Sequence, residues 1–339
     1  MIGRVFRLID IKRIEMKLRD IPLDSQSVLI RPDYMAICAA DERYYFGKRK
    51  REALRRKLPM ALIHEAVGTV LYDGTGTLRA GDKAALIPLA VKETASEIRG
   101  NYRQDSIFAS SDADGFMRDI VVLPPSRVMP TGEEDSAAYV LSELFSVALS
   151  AVAEFEKSRS VRAESFGVWG DGSMGFVVGL ALKAKYPNAK IYVFGKTSRK
   201  LNKFSFATET HFIDQVPCGL QISHAFECVG GIGSESAIEQ MMGIVSPQGS
   251  VNLLGVSEEA VPINTRKVLE KGLKLVGSSR SDSVDFSEAI RLIRENLAIR
   301  RYLRTLISEM VEVKTEEDIS HAFEQSALND FKTVMKWEV

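Results

Sequence analysis

A tight glycine turn constrains this chain more than any other stretch. In Ser165-Phe-Gly-Val-Trp-Gly-Asp-Gly-Ser-Met-Gly175, apolar residues run into a G-x-G-x-x-G, and a helical run from Phe176 to Lys185 follows. Strand, turn and helix in that order open a dinucleotide-binding βαβ unit. The first glycine makes the turn, the second lets a pyrophosphate approach the backbone, and the third lets helix pack on strand. The phosphates then sit at a helix N-terminus, where free N–H groups and the helix dipole favour negative charge. Gly170, Gly172, Ser173, Met174 and Gly175 are therefore the candidate phosphate-binding residues. A second strand, Lys190-Ile-Tyr-Val-Phe194, lies about twenty residues past the turn, as such a unit requires.

The end of that second strand selects the cofactor. A site for NAD places Asp or Glu there to bind the adenosine ribose, and such a carboxylate repels a 2′-phosphate. Here the chain reads Gly195-Lys-Thr-Ser-Arg-Lys200, with no carboxylate between Lys190 and Ala207. Lys196, Thr197, Ser198, Arg199 and Lys200 offer cations and hydroxyls to a phosphate instead. NADP(H) is the expected cofactor, against the plainer reading of a solvated basic turn.

Composition narrows the rest. The chain has 339 residues, enough for two domains, and Lys+Arg and Asp+Glu both total 45. No net field suggests nucleic acid or an anionic membrane as partner. No apolar run reaches membrane-spanning length, and Met1 to Lys17 alternates charged and apolar residues rather than forming a signal peptide. Three cysteines, Cys38, Cys218 and Cys228, fit a reducing cytoplasm rather than a disulfide framework.

From the start of the chain, residues 2–9 and 27–34 alternate as half-buried antiparallel strands. Ile37-Cys38-Ala-Ala-Asp41, Arg43-Tyr44-Tyr45 and a basic segment from Lys48 to Lys57 follow, and then Leu62-Ile-His64-Glu65 leads into a strand. Residues 91–114 read as a long irregular loop, and Ser142 to Lys157 as a helix crossing into the nucleotide domain. Beyond it, a helix over Asp285 to Asn296 and a final strand over Lys332 to Trp337 return to the first domain. Cys38 and His64-Glu65 form a second centre of interest, because thiolate, imidazole and carboxylate together suit zinc. Singly, each has a plainer reading: Cys38 as a small buried hydrophobe, His64 as a hydrogen-bonded turn residue.

Cys-x-x-Asp, His-Glu before a Gly-x-Val strand, Gly81-Asp-Lys83, the glycine turn, Phe226-Glu-Cys-Val-Gly-Gly231, Gly249-Ser-Val-Asn-Leu-Leu-Gly255 and Leu275-Val-Gly-Ser-Ser-Arg280 together resemble the zinc-dependent medium-chain dehydrogenases, end to end. Within that family, Trp169-Gly-Asp-Gly, Ile191-Tyr-Val-Phe-Gly-Lys-Thr, His224-Ala-Phe-Glu-Cys-Val-Gly-Gly and Val268-Leu-Glu-Lys-Gly-Leu are similar to the ribulose-5-phosphate reductases (ribitol-5-phosphate 2-dehydrogenases) of teichoic acid and capsule synthesis. The resemblance implies an α/β protein: a doubly wound Rossmann domain over 150–279, and a GroES-like, mostly-β catalytic domain over 1–149 and 280–339. It implies one catalytic Zn²⁺ held by Cys38, His64 and Glu143. Glu65 is then a neighbouring or alternate ligand, and Asp41 the acid that orients the histidine. Cys228, Val229 and Gly230 are expected on the cofactor side, although Cys228 by itself reads as core, and Cys218 takes no role.

Two departures from the family pattern stand out. Residues 90–115 hold no cysteine, so a structural zinc on a four-cysteine lobe is not expected. Ala40 replaces the usual hydroxyl residue two places after the ligand cysteine, leaving Tyr44 and a water at the metal as proton-donor candidates. The implied reaction is NADPH-dependent reduction of D-ribulose 5-phosphate, with Arg43, Lys48, Arg49 and Arg280 as candidate contacts for the sugar phosphate. A zinc polyol dehydrogenase for an unphosphorylated sugar, and a non-catalytic NADPH-binding sensor or scaffold, stay open as alternatives. A homodimer through the nucleotide domain, and a functional link to a ribitol-5-phosphate cytidylyltransferase, are the partners that the resemblance implies.

Overall fold

The computed structural model describes residues 1–92, 96–132 and 136–339. The chain divides into two compact units, Met1–Ser146 with Ser281–Val339, and Val147–Arg280. The boundary falls inside the helix Ser142–Ser158. Among the described residues, no helix is long and apolar enough to cross a membrane.

The second unit is a six-stranded parallel sheet in the spatial order Glu209–Phe212, Lys190–Gly195, Ser165–Trp169, Ile222–Glu227, Val245–Leu253, Lys274–Gly277. The chain starts in the middle, winds outward to one edge, then returns and winds to the other. This is the order of a doubly wound dinucleotide fold, whose ligands bind beyond the carboxyl ends of the strands where the direction reverses. That reversal lies between Ser165–Trp169 and Ile222–Glu227, the two strands that pair there. The central strand is buried on both faces: Phe166, Val168 and Trp169 are fully covered. Trp169 stacks on Phe194 at 4.1 Å, and its indole N–H donates to Gln240 at 2.9 Å.

His224 lies in this unit's aromatic core, edge-on to Phe155 at 4.6 Å and with Nδ1 3.0 Å from the Ser250 hydroxyl. Burial holds its pKa down, to about 4. The unfolded chain then takes up a proton near 6.5 that the folded chain refuses until about pH 4, so stability falls as pH drops through that window. The loss should reach roughly 3 kcal/mol at the acid end. Urea unfolding of the parent and of His224→Gln between pH 4 and 7 checks this, with a flatter profile expected for the variant.

The first unit is built on a seven-stranded sheet. Its path runs Ile307–Val313, Lys332–Trp337, Val28–Ala36, Glu65–Asp73, Lys83–Leu86, Val128–Pro130, with Val121–Leu123 also pairing with Val28–Ala36. A hairpin, Ile2–Asp10 with Arg13–Asp20, lies apart from that sheet. Its Val5, Phe6 and Leu8 share a core with Ile30, Met35, Phe323 and Trp337.

Several expected elements are corrected or extended. The segment 91–114 is not wholly irregular: Leu89–Ala90 pairs with Ile107–Phe108, and Gly100–Tyr102 is a 3-10 turn, while residues 93–95 lie outside the described residues. The Asp112 carboxylate accepts from the Phe108 N–H at 3.1 Å and closes this excursion, an order that polar composition concealed. Beyond the helix Ser283–Glu295, the chain adds the helix Leu297–Arg304, the strand Ile307–Val313 and the helix Glu316–Ser326. That last strand and Lys332–Trp337 form a parallel pair with the helix Glu316–Ser326 between them.

Candidate metal centre and cofactor turns

Three strand ends converge on the metal candidates. Ala36, the last residue of Val28–Ala36, pairs with Glu65 on one side and Val334 on the other. The ladder continues one step further: the Ile37 N–H donates to the Thr333 carbonyl at 3.0 Å, and Lys332 Nζ donates to the Ile37 carbonyl at 3.2 Å. Cys38 follows at the N-cap of the helix Ala39–Tyr45. Cys38, His64 and Glu65 each offer one donor atom, and these atoms lie within 4.8 Å of one another.

Asp41 organises this cluster from behind. It is fully buried; Oδ1 accepts from the Ile63 N–H at 3.1 Å and the Ser110 hydroxyl at 2.5 Å. Oδ2 accepts from the Cys38 N–H at 3.2 Å and lies 3.4 Å from His64 Nδ1. Burial opposes the charge on Asp41, but His64, Ser110 and the Ile63 N–H outweigh it and hold the carboxyl below its ordinary range. Burial likewise works against a charged His64, yet Asp41 and Cys38 lift its pKa well above the ordinary value. A carboxylate facing one imidazole nitrogen fixes ring and tautomer, leaving the other nitrogen for a metal.

The backbone holding His64 is strained. Ile63 has φ +71° and Ser110 φ +63°, a region that costs of order 1–3 kcal/mol for a residue with a side chain. Neighbouring bonds hold it there: Phe116 N–H donates to the Ile63 carbonyl at 2.8 Å, and Gly115 N–H to that of Ala61 at 2.7 Å. Gly115 is required, because a Cβ there would lie 2.3 Å from the Leu62 and Ile63 carbonyl oxygens.

Glu65 is fully buried and ion-paired with Lys332, itself only 5% exposed. Its second oxygen, Oε2, is buried with no hydrogen-bond partner among the described residues. Glu143, at the start of the helix Ser142–Ser158, is buried but outside the close group of three. Burial pushes its carboxyl up to about 7, with His64 pulling the other way and Glu65 adding to the rise. A thiol, an imidazole, an orphaned carboxylate oxygen and a second carboxyl poised to lose a proton suit a Zn²⁺ ion, and one thiolate with one carboxylate balance its charge.

The remaining candidates in this unit surround the helix Ala39–Tyr45. Tyr44 is buried in the core with the Arg49 guanidinium 4.9 Å above its ring. Arg43 is half-buried, and Lys48 is exposed with its ammonium 5.3 Å from the Phe46 ring. Arg280 closes the second unit, half-buried and left-handed at φ +59°.

In the second unit the glycine turn has the geometry that the sequence predicts. Gly170 has φ +122°, and a Cβ on Gly175 would lie 1.9 Å from the Gly170 carbonyl oxygen. A Cβ on Gly172 would meet no described atom within 4 Å, so this N-cap of the helix Ser173–Lys185 leaves its backbone open to a pyrophosphate. Ser173 and Met174 are half-buried in its first turn. Gly195 is buried, while Lys196, Ser198 and Arg199 are exposed and Thr197 and Lys200 half-buried around the short helix Ser198–Leu201. The Cys228 N–H donates to the Trp169 carbonyl at 2.8 Å, and burial raises its thiol pKa well above the ordinary value.

Four residues of these sites carry no signal in a residue-by-residue reading of motifs. Lys332 and Ser110 are two of them. Glu227 is the third: buried, it accepts from the Val229 and Gly230 N–H groups at 2.8 Å each and from Gly255 N–H at 2.9 Å, pinning two loops at the strand ends. Asp171 is the fourth; its Oδ2 accepts from the Lys196 and Thr197 N–H groups, both at 2.8 Å. One clue was available for Lys332. A lysine opening the strand Lys332-Thr-Val-Met-Lys-Trp337 calls for a buried acid once that end of the strand is covered.

Comparison with known proteins agrees with this geometry. Residues 24–133 match the alcohol dehydrogenase GroES-like domain, and residues 183–295 the zinc-binding dehydrogenase family. The ribulose-5-phosphate reductase of Bacillus spizizenii is 42% identical over 341 residues, covering 100% of both chains. Ribulose-5-phosphate reductase 1 of Staphylococcus aureus is 44% identical, covering 99% of both. A crystal structure of S. aureus TarJ in complex with NADPH superposes with TM-score 0.89 at 42% identity, covering 100% of both chains. The chain belongs to the zinc-binding dehydrogenases, and within them to the family of the ribulose-5-phosphate reductases.

Proposed function

We propose that this chain catalyses the NADPH-dependent reduction of D-ribulose 5-phosphate to D-ribitol 5-phosphate. The observation that carries the reading is full-length identity of 42–44% to reductases of that name, on a chain that keeps the Cys38–His64–Glu65 group. Residues 1–149 and 280–339 would form the catalytic domain and 150–279 the NADP(H) domain. Cys38, His64 and Glu143 would hold Zn²⁺, with Glu65 as neighbour or alternate ligand. Bound zinc supplies Lewis-acid polarisation of the ketone, and NADPH supplies the hydride. Asp41 keeps the His64 tautomer fixed throughout. Ala40 has no proton to give, and Tyr44 is buried in the first unit's core, so water is favoured as the proton source.

Arg43, Lys48, Arg49 and Arg280 are the proposed contacts for the sugar phosphate. The test compares ribulose 5-phosphate with ribulose at saturating NADPH, in the parent and in four single alanine variants. Strong preference for the phosphorylated sugar is expected, lost in at least one variant through KM while the NADPH KM holds. Equal use of both sugars would indicate a polyol dehydrogenase instead, and NADPH binding without turnover of either would indicate a sensor or scaffold.

Gly170, Gly172, Ser173, Met174 and Gly175 would carry the cofactor pyrophosphate, Cys228, Val229 and Gly230 would border it, and Gly195 to Lys200 would take the 2′-phosphate. Lys196→Ala or Arg199→Ala is expected to weaken NADPH binding by about 1.5–3 kcal/mol, roughly ten- to a hundredfold, with NADH nearly unchanged. Fluorescence titration of both cofactors measures this.

The exposed outer strand Lys274–Gly277, with Leu275 38% exposed, supports a homodimer through this unit, since an open sheet edge invites pairing. Free cysteines support a cytoplasmic setting, and the product would feed a ribitol-5-phosphate cytidylyltransferase for teichoic acid or capsule synthesis.

A further inference from the structure

The middle of the glycine turn holds a carboxylate with an unusual task. Asp171 stands between Gly170 and Gly172, where a side chain is free to reach solvent. Instead its Oδ2 takes both the Lys196 and the Thr197 N–H groups, 25 and 26 residues further along the chain. The close approach depends on Gly195. A Cβ on that residue would lie 2.5 Å from Asp171 Cβ and 2.8 Å from its Oδ2. The turn after the first strand is thereby bolted to the turn after the second, and Thr197 is at once a partner of Asp171 and the N-cap of the helix Ser198–Leu201.

This arrangement bears on cofactor choice in two ways. A carboxylate near the adenosine ribose ordinarily favours NAD, because it accepts from the ribose hydroxyls and repels a 2′-phosphate. Here one oxygen is doubly engaged by backbone N–H groups, which delocalise its charge and hold it against the protein. The same bonds remove two backbone donors from a phosphate's reach, and they fix the stretch on which Lys196, Ser198 and Arg199 are mounted. Side-chain donors on an unanchored turn would lose much of their affinity to the cost of ordering it.

We propose that Asp171 is a positioning residue for the 2′-phosphorylated cofactor, holding the Lys196–Arg199 turn in its binding form through the Lys196 and Thr197 N–H groups. The inference rests on the reading of that turn as the 2′-phosphate site. Asp171→Ala removes both bonds, whereas Asp171→Asn keeps a carbonyl oxygen able to accept both and removes only the charge. Direct binding of NADPH, NADH and adenosine 2′,5′-bisphosphate is measured by fluorescence and calorimetry on both variants, beside Arg199→Ala.

Asp171→Ala is expected to weaken NADPH and the bisphosphate about tenfold or more while NADH changes less than about threefold. Asp171→Asn is expected to restore the preference. An equal loss for NADPH and NADH in the alanine variant overturns the proposal, and so does an asparagine variant as unselective as the alanine one. Selectivity lost in Arg199→Ala but kept in Asp171→Ala also overturns it, with the phosphate site intact. Selectivity unchanged in Arg199→Ala removes the phosphate site itself, and the proposal with it.

Discussion

Replacing Cys38 with alanine should empty the metal site and lower kcat/KM by on the order of a thousandfold, equivalent to about 4 kcal/mol of lost transition-state stabilisation. The cause is the donor count. Cys38 is the one thiol among the three mutually close donors, and a thiolate contributes both charge and a soft ligand that no neighbour replaces. Metal analysis and steady-state kinetics on one preparation check this. NADPH affinity should survive, because the glycine turn lies in the other unit. A variant that keeps stoichiometric zinc and activity would remove Cys38 from the ligand set.

Replacing Lys332 with methionine should destabilise the metal-free protein by about 3–5 kcal/mol, the cost of leaving a buried acid without its counter-charge. Glu65 and Lys332 are both buried, so each is the other's nearest counter-charge away from bulk solvent. For a unit of this size, the loss corresponds to a fall in Tm of roughly 10 °C. The companion variant carrying Glu65→Gln and Lys332→Met should recover most of it, since neither remaining group is then charged. Thermal unfolding after chelation separates the two outcomes. Equal melting of the parent and the single variant would mean that the pair contributes nothing to the fold.

The glycine turn was legible because glycine answers a local demand: positive φ at Gly170 and the tight approach of Gly175 are settled within six residues. The parallel sheet followed from apolar strands separated by helical runs. Cys38, His64 and Glu65 were legible as a set from their chemical types, and the structure brings all three together. Glu143 is buried beside them but outside the tight group, a distinction that no spacing encodes. Lys332 was missed because its partner is 267 residues away, and long-range pairing leaves no periodic trace. Ser110 hid in a polar stretch whose composition reads as loop, although one of its hydroxyl bonds reaches a fully buried acid. Asp171 hid for a different reason: between two glycines, an acid reads as solvent-facing. The helix Ser283–Glu295 was legible, but the strand Ile307–Val313 was overlooked, with the helices Leu297–Arg304 and Glu316–Ser326 on either side of it, because that strand alternates half-buried and exposed residues, a weak apolar signal.

The ladder that joins Ala36 to Val334 also sets a timetable for the newborn chain. The second unit's six strands all lie between Glu164 and Ser278, so every strand of its sheet is available once that stretch has left the ribosome. The same is not true of the first unit. His64 and Glu65 emerge early, yet the lysine that neutralises Glu65 is made 267 residues later, about 13–50 s at roughly 5–20 residues per second. During that interval the Glu65 carboxylate lacks the lysine that pairs with it in the folded unit. The three donors of the metal group therefore gain the ladder behind them only after the strand Lys332–Trp337 has been made, long after all three have left the ribosome.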